Sequence, residues 1–236
     1  MTQQEIKEQT GKTAVESLIK TGMKIGLGTG STVIYVIRHT GYLLRQGLIK
    51  DIRAVTTSFQ SLLECESWGI PAFSLNSPEI HGSLDLTIDG ADEVDKQGRC
   101  VKGGGGALLL EKIAAYNSAA YALVVDESKI VEHLGRGFPV PVEVIPEARV
   151  PVTQALERLG MEVKLREAVR KAGPVITEHA NMLLDCRLKE NMDPAELELN
   201  INLIPGVVEN GFFTRIRPVI FEGHPDGSVE QIHAAG

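Results

Sequence analysis

The segment from residue 89 to residue 112 holds the residues whose types and spacing could do chemistry. It reads DGADEVDKQGRCVKGGGGALLLEK. Asp89 and Asp92 come directly after an alternating apolar run, which is typical of a strand that ends in a loop. Lys102 precedes the glycine loop, residues 103–106, whose backbone freedom indicates close approach to another group. Carboxylates, a lysine and preorganised amides are the groups that an acid–base reaction uses for proton transfer and charge stabilisation.

Glu111 lies in a predicted helix that begins directly after the glycine loop. With 3.6 residues per turn, its face also carries a set of small or apolar residues: Ala107, Leu108, Ala114, Ala115 and Ser118. One interpretation is a solvated glutamate that stabilises the helix through its dipole. The other is a poorly hydrated, more basic carboxylate that serves as the base of a proton transfer. The residues alone leave both interpretations open.

A second candidate site is the phosphate loop, residues 28–32, which reads GTGST between a predicted strand and a predicted helix. A glycine turn before a helix N-terminus binds anions through its amides, and the hydroxyls add donors. A dinucleotide fingerprint does not fit because Ser31 occupies the third glycine position. A nucleoside-triphosphate loop does not fit because its lysine is missing. The loop therefore predicts a cup for a single phosphate, with a plain tight turn as the alternative.

The composition limits the possible function classes. The 236 residues carry a net charge of −7, which argues against a general nucleic-acid binder. Cys65, Cys100 and Cys186 share no metal-ligand spacing, and their odd number suits a reducing compartment. A calcium loop starting at Asp89 fails because Cys100 occupies the position of the bidentate glutamate. With no apolar membrane span and no signal segment in the sequence, we expect a cytoplasmic protein.

Alternating strands and helices in the first half of the chain predict a doubly wound, Rossmann-like α/β sheet. Its ligands should lie at the carboxyl ends of the strands, where the phosphate loop, Asp89 and Lys129 are expected. The following part predicts a smaller α+β domain of the ferredoxin-like, split βαβ kind. A C-terminal hairpin would rejoin the first sheet. The predicted domains are therefore residues 1–138 together with 217–236, and residues 139–216.

Finer boundaries are also predicted. Thr2 and Glu5 have the spacing of a capping box, and Gly22 is expected to end the first helix. Residues 71–75 read as a short strand, and residues 207–213 read as one continuous strand.

Several motifs together resemble one family. These are GTGST at 28–32, DGADE at 89–93, KGGGGALLLEK at 102–112, DESK at 126–129 and PVEVIP at 141–146. They are similar to the motifs of type A ribose-5-phosphate isomerases, and they occur in that family's order over most of the chain. One departure is the segment IRP at 216–218, where the family tends to have Arg-Ala-Asp. It bears on how the C-terminal strand pairs.

The resemblance implies an aldose–ketose isomerase that interconverts ribose 5-phosphate and ribulose 5-phosphate in the non-oxidative pentose phosphate pathway. It implies neither a metal nor an organic cofactor, and a pentose phosphate as the small-molecule partner. The assembly expected is a homo-oligomer, either a dimer or a tetramer. Neither nucleic acid nor a membrane is expected as a partner.

The resemblance also implies roles for the residues at matching positions. The phosphate would be held by Thr29, Gly30, Ser31 and Thr32. The sugar would be contacted by Asp89, Gly90, Ala91 and Asp92, with the two aspartates assisting ring opening. The oxygens on C1 and C2 would be bound by Lys102 and the amides of Gly103, Gly104 and Gly105. Lys129 would touch the substrate, and Glu111 would be the base that shuttles the proton between C1 and C2.

Other functions stay open on the sequence. Sugar-phosphate deaminases and acyl-CoA transferases share the architecture, and a glutamate would there serve as a nucleophile. A transferase would need two acyl partners and form a thioester, whereas an isomerase acts on ribose 5-phosphate alone. Related domains sense sugar phosphates within transcription regulators, but the sequence shows no basic helix-turn-helix.

Overall fold

The computed structural model describes residues 1–233 of the chain. The helices are α1 (Gln3–Leu18), α2 (Val33–Arg45), α3 (Phe59–Trp68), α4 (Leu108–Tyr116), α5 (Arg149–Arg158) and α6 (Pro194–Asn202). The strands are β1 (Lys24–Leu27), β2 (Arg53–Thr56), β3 (Leu84–Asp89), β4 (Glu93–Val94), β5 (Cys100–Val101), β6 (Ser118–Asp126), β7 (Val140–Val144), β8 (Met161–Leu165), β9 (Met182–Leu188), β10 (Val207–Asn210), β11 (Phe212–Phe213), β12 (Val219–Gly223) and β13 (Val229–His233). Two short 3₁₀ turns, Glu127–Lys129 and Pro146–Ala148, complete the elements.

The chain divides into two compact units. The first comprises residues 1–91, 110–130 and 216–233. The second comprises residues 92–109 and 131–215.

A six-stranded sheet with the order β13-β12-β6-β3-β1-β2 forms the centre of the first unit. All neighbours are parallel except β13, which pairs antiparallel with β12 at one edge. The nearly all-apolar β6 lies between β3 and β12, as expected for a strand covered on both faces. This arrangement confirms the doubly wound α/β fold.

The C-terminal hairpin rejoins this sheet, as predicted. β12 begins at Val219, immediately after the IRP segment, and pairs in parallel with β6 from Val219↔Ala122 to Gly223↔Asp126. The departure from the family pattern therefore leaves the pairing of the C-terminal strand intact.

The core of the first unit is built from the helices and the sheet together. Its fully buried members include Ala14, Leu27, Val36, Ile37, Ile88, Val124 and Phe221. Full burial of a large apolar side chain contributes about 1.5–3 kcal/mol each, so this cluster fixes the strands whose ends carry the loops.

Two boundary predictions for the first unit are wrong, and one is confirmed. α1 ends at Leu18 rather than at Gly22, which lies with φ +84° in the turn before β1. Residues 71–75 do not form a strand; a single parallel bridge joins Ala72 to Ala54. The capping box is present, since the Thr2 side chain accepts from the Glu5 amide and the Glu5 carboxylate accepts from the Thr2 amide at 2.7 Å.

The second unit contains a four-stranded antiparallel sheet of order β10-β7-β9-β8. With α5 between β7 and β8, and α6 between β9 and β10, the chain order is βαββαβ. This is the predicted ferredoxin-like arrangement. A second small sheet has the order β11-β5-β4.

The predicted continuous strand over residues 207–213 is split by Gly211 into β10 and β11, which belong to different sheets. The Gly211 amide donates to the Pro141 carbonyl at 2.7 Å, and its carbonyl accepts from the Lys102 amide at 2.9 Å. A Cβ at Gly211 would lie 2.4 Å from the Lys102 carbonyl oxygen, so this crossing requires glycine. The break was not visible in the alternation of side chains.

We expect the three thiols to resist modification in the folded protein. Cys65, Cys100 and Cys186 are all buried, and burial raises the pKa of Cys65 to about 12 and also raises that of Cys186. The thiolate is the reactive form of cysteine, so Ellman's reagent should react with none of them at neutral pH. After denaturation in guanidinium chloride it should titrate all 3 cysteines. Rapid reaction of one thiol in the native protein would contradict this expectation.

Candidate active site

The carboxyl ends of β1, β3 and β6 lie side by side in the first unit, because these strands are parallel neighbours. The phosphate loop follows β1, Asp89 is the last residue of β3, and the 3₁₀ turn with Lys129 follows β6. This edge of the sheet is where ligands bind in doubly wound folds. The structure thus brings together the first-unit loops that the sequence marks as candidates.

The phosphate loop turns through Gly30, whose φ of +126° is strained for residues other than glycine. The loop ends at the N-terminus of α2, where the Thr32 side chain makes no capping bond to the helix. The Gly30 amide donates to Oε1 of Gln60 at 3.2 Å. A helix N-terminus preceded by such a turn presents amides and a partial positive charge to an anion.

The Thr29 hydroxyl faces into the protein. It lies 2.8 Å from Oγ1 of Thr57 and donates to Oγ of Ser58 at 2.6 Å. The Ser61 hydroxyl, which bonds to the Ser58 hydroxyl at 3.0 Å, also donates to the Gly28 carbonyl. These hydroxyls tie the phosphate loop to the start of α3, so Thr29 supports the loop from within.

Lys7 is a residue that sequence reasoning missed. It projects from α1, and its Nζ donates to Oγ of Ser31 in the phosphate loop at 2.8 Å. An ammonium group at this distance adds positive charge to the loop that is predicted to bind a phosphate. Nothing in the local pattern of α1 marks Lys7, because the contact joins residues 24 positions apart in the chain.

Asp89 is fully buried against the phosphate loop. Its Oδ1 accepts from the Thr29 amide at 3.2 Å and from the Gly90 amide at 2.8 Å. A Cβ at position 28 would lie 2.0 Å from the Asp89 carboxyl carbon, so Gly28 is needed for this contact. The carboxylate and the loop therefore hold each other in place.

Glu111 is 3% exposed, on a face of α4 that it shares with the buried Leu108, Ala114 and Ala115. The interpretation of Glu111 as a solvated surface residue is therefore wrong. Burial of a carboxylate costs free energy, because it disfavours the charged form. Its role as the base of a proton transfer stays a prediction.

The turn with Lys129 is anchored by Asp126. The Asp126 carboxylate accepts from the Ser128 amide at 3.1 Å through one oxygen and from Nε2 of Gln3 at 2.8 Å through the other. Nδ1 of His224 lies 3.3 Å from Oε2 of Glu127. These contacts fix the backbone that carries Lys129 at the end of β6.

The second unit holds Asp92, Lys102 and the glycine loop. The Asp92 carboxylate accepts from the Gly104 amide at 2.7 Å, and the Asp92 amide donates to the Val101 carbonyl at 2.9 Å. Lys102 is 2% exposed, and its Nζ lies 5.7 Å from the centroid of the Phe213 ring. A cation near an aromatic face is stabilised there by the ring quadrupole.

Part of the glycine requirement in this loop is internal to the fold. Gly103 has φ +106°, and a Cβ there would lie 2.8 Å from the Leu108 side chain. A Cβ at Gly104 would lie 2.6 Å from Oδ1 of Asp92 and 3.0 Å from the Phe138 ring. The four glycines predict close approach to another group, and at these two positions the approaching groups are residues of the same unit.

Within residues 1–233, no three His, Cys, Asp or Glu side chains are grouped as a metal ion would need. No helix in that same range is both long and apolar enough to cross a membrane.

A sheet of this topology places the protein in the class of doubly wound α/β proteins, whose ligands bind at the carboxyl ends of the strands. The sequence profile of the family Ribose 5-phosphate isomerase A (phosphoriboisomerase A) matches residues 53–227. The ribose-5-phosphate isomerase A of Treponema denticola is 49% identical over 235 residues, which cover 97% of this chain and 98% of that protein. The chain therefore belongs to this family of isomerases.

Solved structures agree with the assignment. The ribose 5-phosphate isomerase A of Methanocaldococcus jannaschii superimposes with a TM-score of 0.91 at 40% identity, covering 98% of this chain and 100% of that one. A D-ribose-5-phosphate isomerase in complex with phospho-erythronic acid gives a TM-score of 0.93 at 38% identity, covering 99% and 100%. The α/β fold is thus shared with isomerases over nearly all of the chain.

Proposed function

We propose that this protein interconverts D-ribose 5-phosphate and D-ribulose 5-phosphate through an enediolate, in the non-oxidative pentose phosphate pathway. The observation that carries the proposal is the buried carboxylate of Glu111, on an apolar helix face, in a chain that belongs to an isomerase family. An aldose–ketose isomerisation needs one base that removes a proton from one carbon and returns it to the next.

In the proposed mechanism, Glu111 moves a proton from C2 to C1 of the substrate. Glu111 takes the proton from C2 of the open-chain aldose, and the electron pair moves to form a C1–C2 double bond. The carboxyl proton can exchange with solvent; the same group then delivers a proton to C1, while the C2 oxygen becomes the ketone carbonyl. The hydroxyl proton moves from the C2 oxygen to the C1 oxygen over the same steps.

Charge builds on the C1 oxygen when the enediolate forms. In the proposal, Lys102 and the amides of Gly103, Gly104 and Gly105 bind the C1 and C2 oxygens and offset this charge. Such groups act most strongly where water is excluded, and the burial of Lys102 supports this role.

The remaining proposed roles, binding of the phosphate and of the sugar, belong to residues in the loops after the strands. We assign the phosphate to Gly30, Ser31 and Thr32, with Thr29 supporting the loop and Lys7 adding a cation. Asp89, Gly90, Ala91 and Asp92 contact the sugar, and the two aspartates assist ring opening. Lys129 contacts the substrate from the turn after β6.

An assay on ribose 5-phosphate alone tests the proposal. The purified protein should convert it to ribulose 5-phosphate without any acyl donor, and no ammonia should be released. Failure to convert this substrate would refute the function. The comparisons favour neither the deaminase, the transferase nor the sensor function.

We expect this activity to survive exhaustive chelation, because the proposed mechanism gives the charge stabilisation to Lys102 instead of a metal. The measurement compares the rate before and after dialysis against EDTA. Loss of activity on chelation, restored by a divalent ion, would contradict this part of the mechanism.

We further propose that the protein acts in the cytoplasm as a homo-oligomer, either a dimer or a tetramer, as its family membership supports. Light scattering on the purified chain measures the assembly, and a mass near 25.6 kDa would show a monomer instead.

A further inference from the structure

Arg166, directly after β8, forms an ion pair with Asp185 of β9 in the second unit. Its Nε lies 2.9 Å from Oδ2 and 3.1 Å from Oδ1, and its Nη2 also donates to Oδ1. The two side chains are only 14% and 23% exposed. Guanidinium and carboxylate meet here in the two-pronged geometry that fixes both groups in orientation.

The remaining terminal nitrogen of this guanidinium reaches the glycine loop. Nη1 of Arg166 donates to the Gly103 carbonyl at 2.9 Å and to the Gly104 carbonyl at 3.1 Å. The backbone of Arg166 is itself held, because its amide donates to the Leu183 carbonyl and its carbonyl accepts from the Val175 amide, both at 2.9 Å. Through Arg166, the second unit therefore holds two successive peptide groups of the loop by hydrogen bonds.

Holding these carbonyls also sets the direction of the next amides. In a planar trans peptide the C=O and the following N–H point in opposite directions. The Gly104 amide, opposite the Gly103 carbonyl, accordingly points to Oδ2 of Asp92 at 2.7 Å. By the same geometry the Gly105 amide points away from the guanidinium of Arg166.

External restraint matters here because glycine has little conformational preference of its own. The loop has four consecutive glycines, and Gly103 and Gly106 both have positive φ. A turn bond from the Gly106 amide to the Gly103 carbonyl at 2.9 Å closes the loop locally. The Arg166 contacts then fix how the closed loop is oriented.

We propose that Arg166 and Asp185 are positioning residues for the isomerisation. The pair holds the glycine loop in the orientation in which the Gly104 amide donates to Asp92 and the Gly105 amide faces the reacting oxygens, and it acts through the loop without touching the substrate. This inference rests on the proposed function, and it gives the sheet of the smaller unit a part in the chemistry.

Arg166→Lys tests the inference, because it keeps the positive charge but loses the nitrogen arrangement that serves Asp185 and two carbonyls together. We expect kcat to fall by about 10- to 100-fold, since misplacement of a reacting group by about 1 Å can cost about 10²-fold in rate. Inhibition by inorganic phosphate should be unchanged, because the phosphate loop is untouched. Asp185→Asn should shift kcat in the same direction.

Arg53 offers a matched control in the first unit. Its guanidinium also donates to two carbonyls, those of Gly22 at 2.9 Å and Glu79 at 3.2 Å, but it contacts no proposed site residue. Arg53→Lys should keep the wild-type kcat even if its melting temperature falls. In Arg166→Ala, added guanidinium ion should restore part of the lost kcat, and it should not speed the wild-type enzyme.

The outcomes separate the two levels of the proposal. If wild-type protein isomerises ribose 5-phosphate while Arg166→Lys and Asp185→Asn fold and keep the wild-type kcat, the positioning role is wrong and the function stands. The role is also wrong if Arg166→Lys and Arg53→Lys lose the same fraction of kcat for the same fall in melting temperature. If the wild-type protein does not isomerise the substrate, the proposed function fails and the inference fails with it.

Discussion

Replacement of Glu111 with Gln is expected to lower kcat for ribose 5-phosphate by about 10²–10⁴-fold, the typical cost of losing a general base. Gln keeps the shape and a hydrogen-bonding end but cannot accept the proton from C2. The apparent affinity for substrate should change much less, because the phosphate loop and Asp89 remain. Steady-state rates at saturating substrate, together with the inhibition constant for inorganic phosphate, measure the two effects separately.

Glu143→Gln is the matched control for this substitution. Glu143 is also a buried carboxylate, 1% exposed, but it lies in β7 and accepts from Thr177 at 2.8 Å and Asn181 at 2.9 Å. We expect this variant to lose stability without a comparable loss of kcat. A folded Glu111→Gln enzyme with kcat near that of the control would show that Glu111 is structural.

The second large effect is expected at the phosphate loop. Ser31→Ala combined with Thr32→Ala should raise KM by roughly 10²-fold or more, because hydrogen bonds to a charged group contribute about 1.5–3 kcal/mol each. Inhibition by inorganic phosphate should weaken in parallel, whereas kcat should fall much less. Lys7→Met should weaken phosphate inhibition in the same direction, since it removes the ammonium group beside Ser31.

A double variant elsewhere controls for the loss of two hydroxyls. Thr13 and Ser17 bond to carbonyls of α1, at 2.9 Å and 2.7 Å, so Thr13→Ala with Ser17→Ala should leave KM and phosphate inhibition unchanged. Wild-type KM and wild-type phosphate inhibition in the Ser31/Thr32 variant would place the phosphate elsewhere on the protein.

The first sheet could be predicted because its signals are local. Alternating runs such as residues 84–88 end in polar or glycine-rich loops, and parallel strands place those loops at one edge. Prediction of the loop positions therefore required only the strand ends. The same local logic identified Glu111 as a carboxylate on an apolar face, but it could not decide between a solvated and a buried side chain. That decision depends on what packs against α4.

Features that depend on distant contacts could not be predicted. The Lys7–Ser31 bond, the hydroxyl cluster around Thr29 and the Arg166 bonds to the glycine loop join residues 24 to 63 positions apart. Gly211 divides a stretch that alternates like one strand, because its backbone passes too close to Pro141 for a side chain. Such contacts arise only when the elements pack, and no period in the sequence encodes them.

Hydrogen exchange at C2 of the substrate tests the role of Glu111 most directly. Ribose 5-phosphate is incubated with enzyme in deuterium oxide, and deuterium in the recovered pentose phosphates is followed by NMR or mass spectrometry. Wild-type enzyme and Glu143→Gln should exchange the transferred hydrogen with solvent, whereas Glu111→Gln should leave it in place while still binding inorganic phosphate. Exchange by folded Glu111→Gln at nearly the wild-type rate would contradict the account and move the base to Asp89 or Asp92.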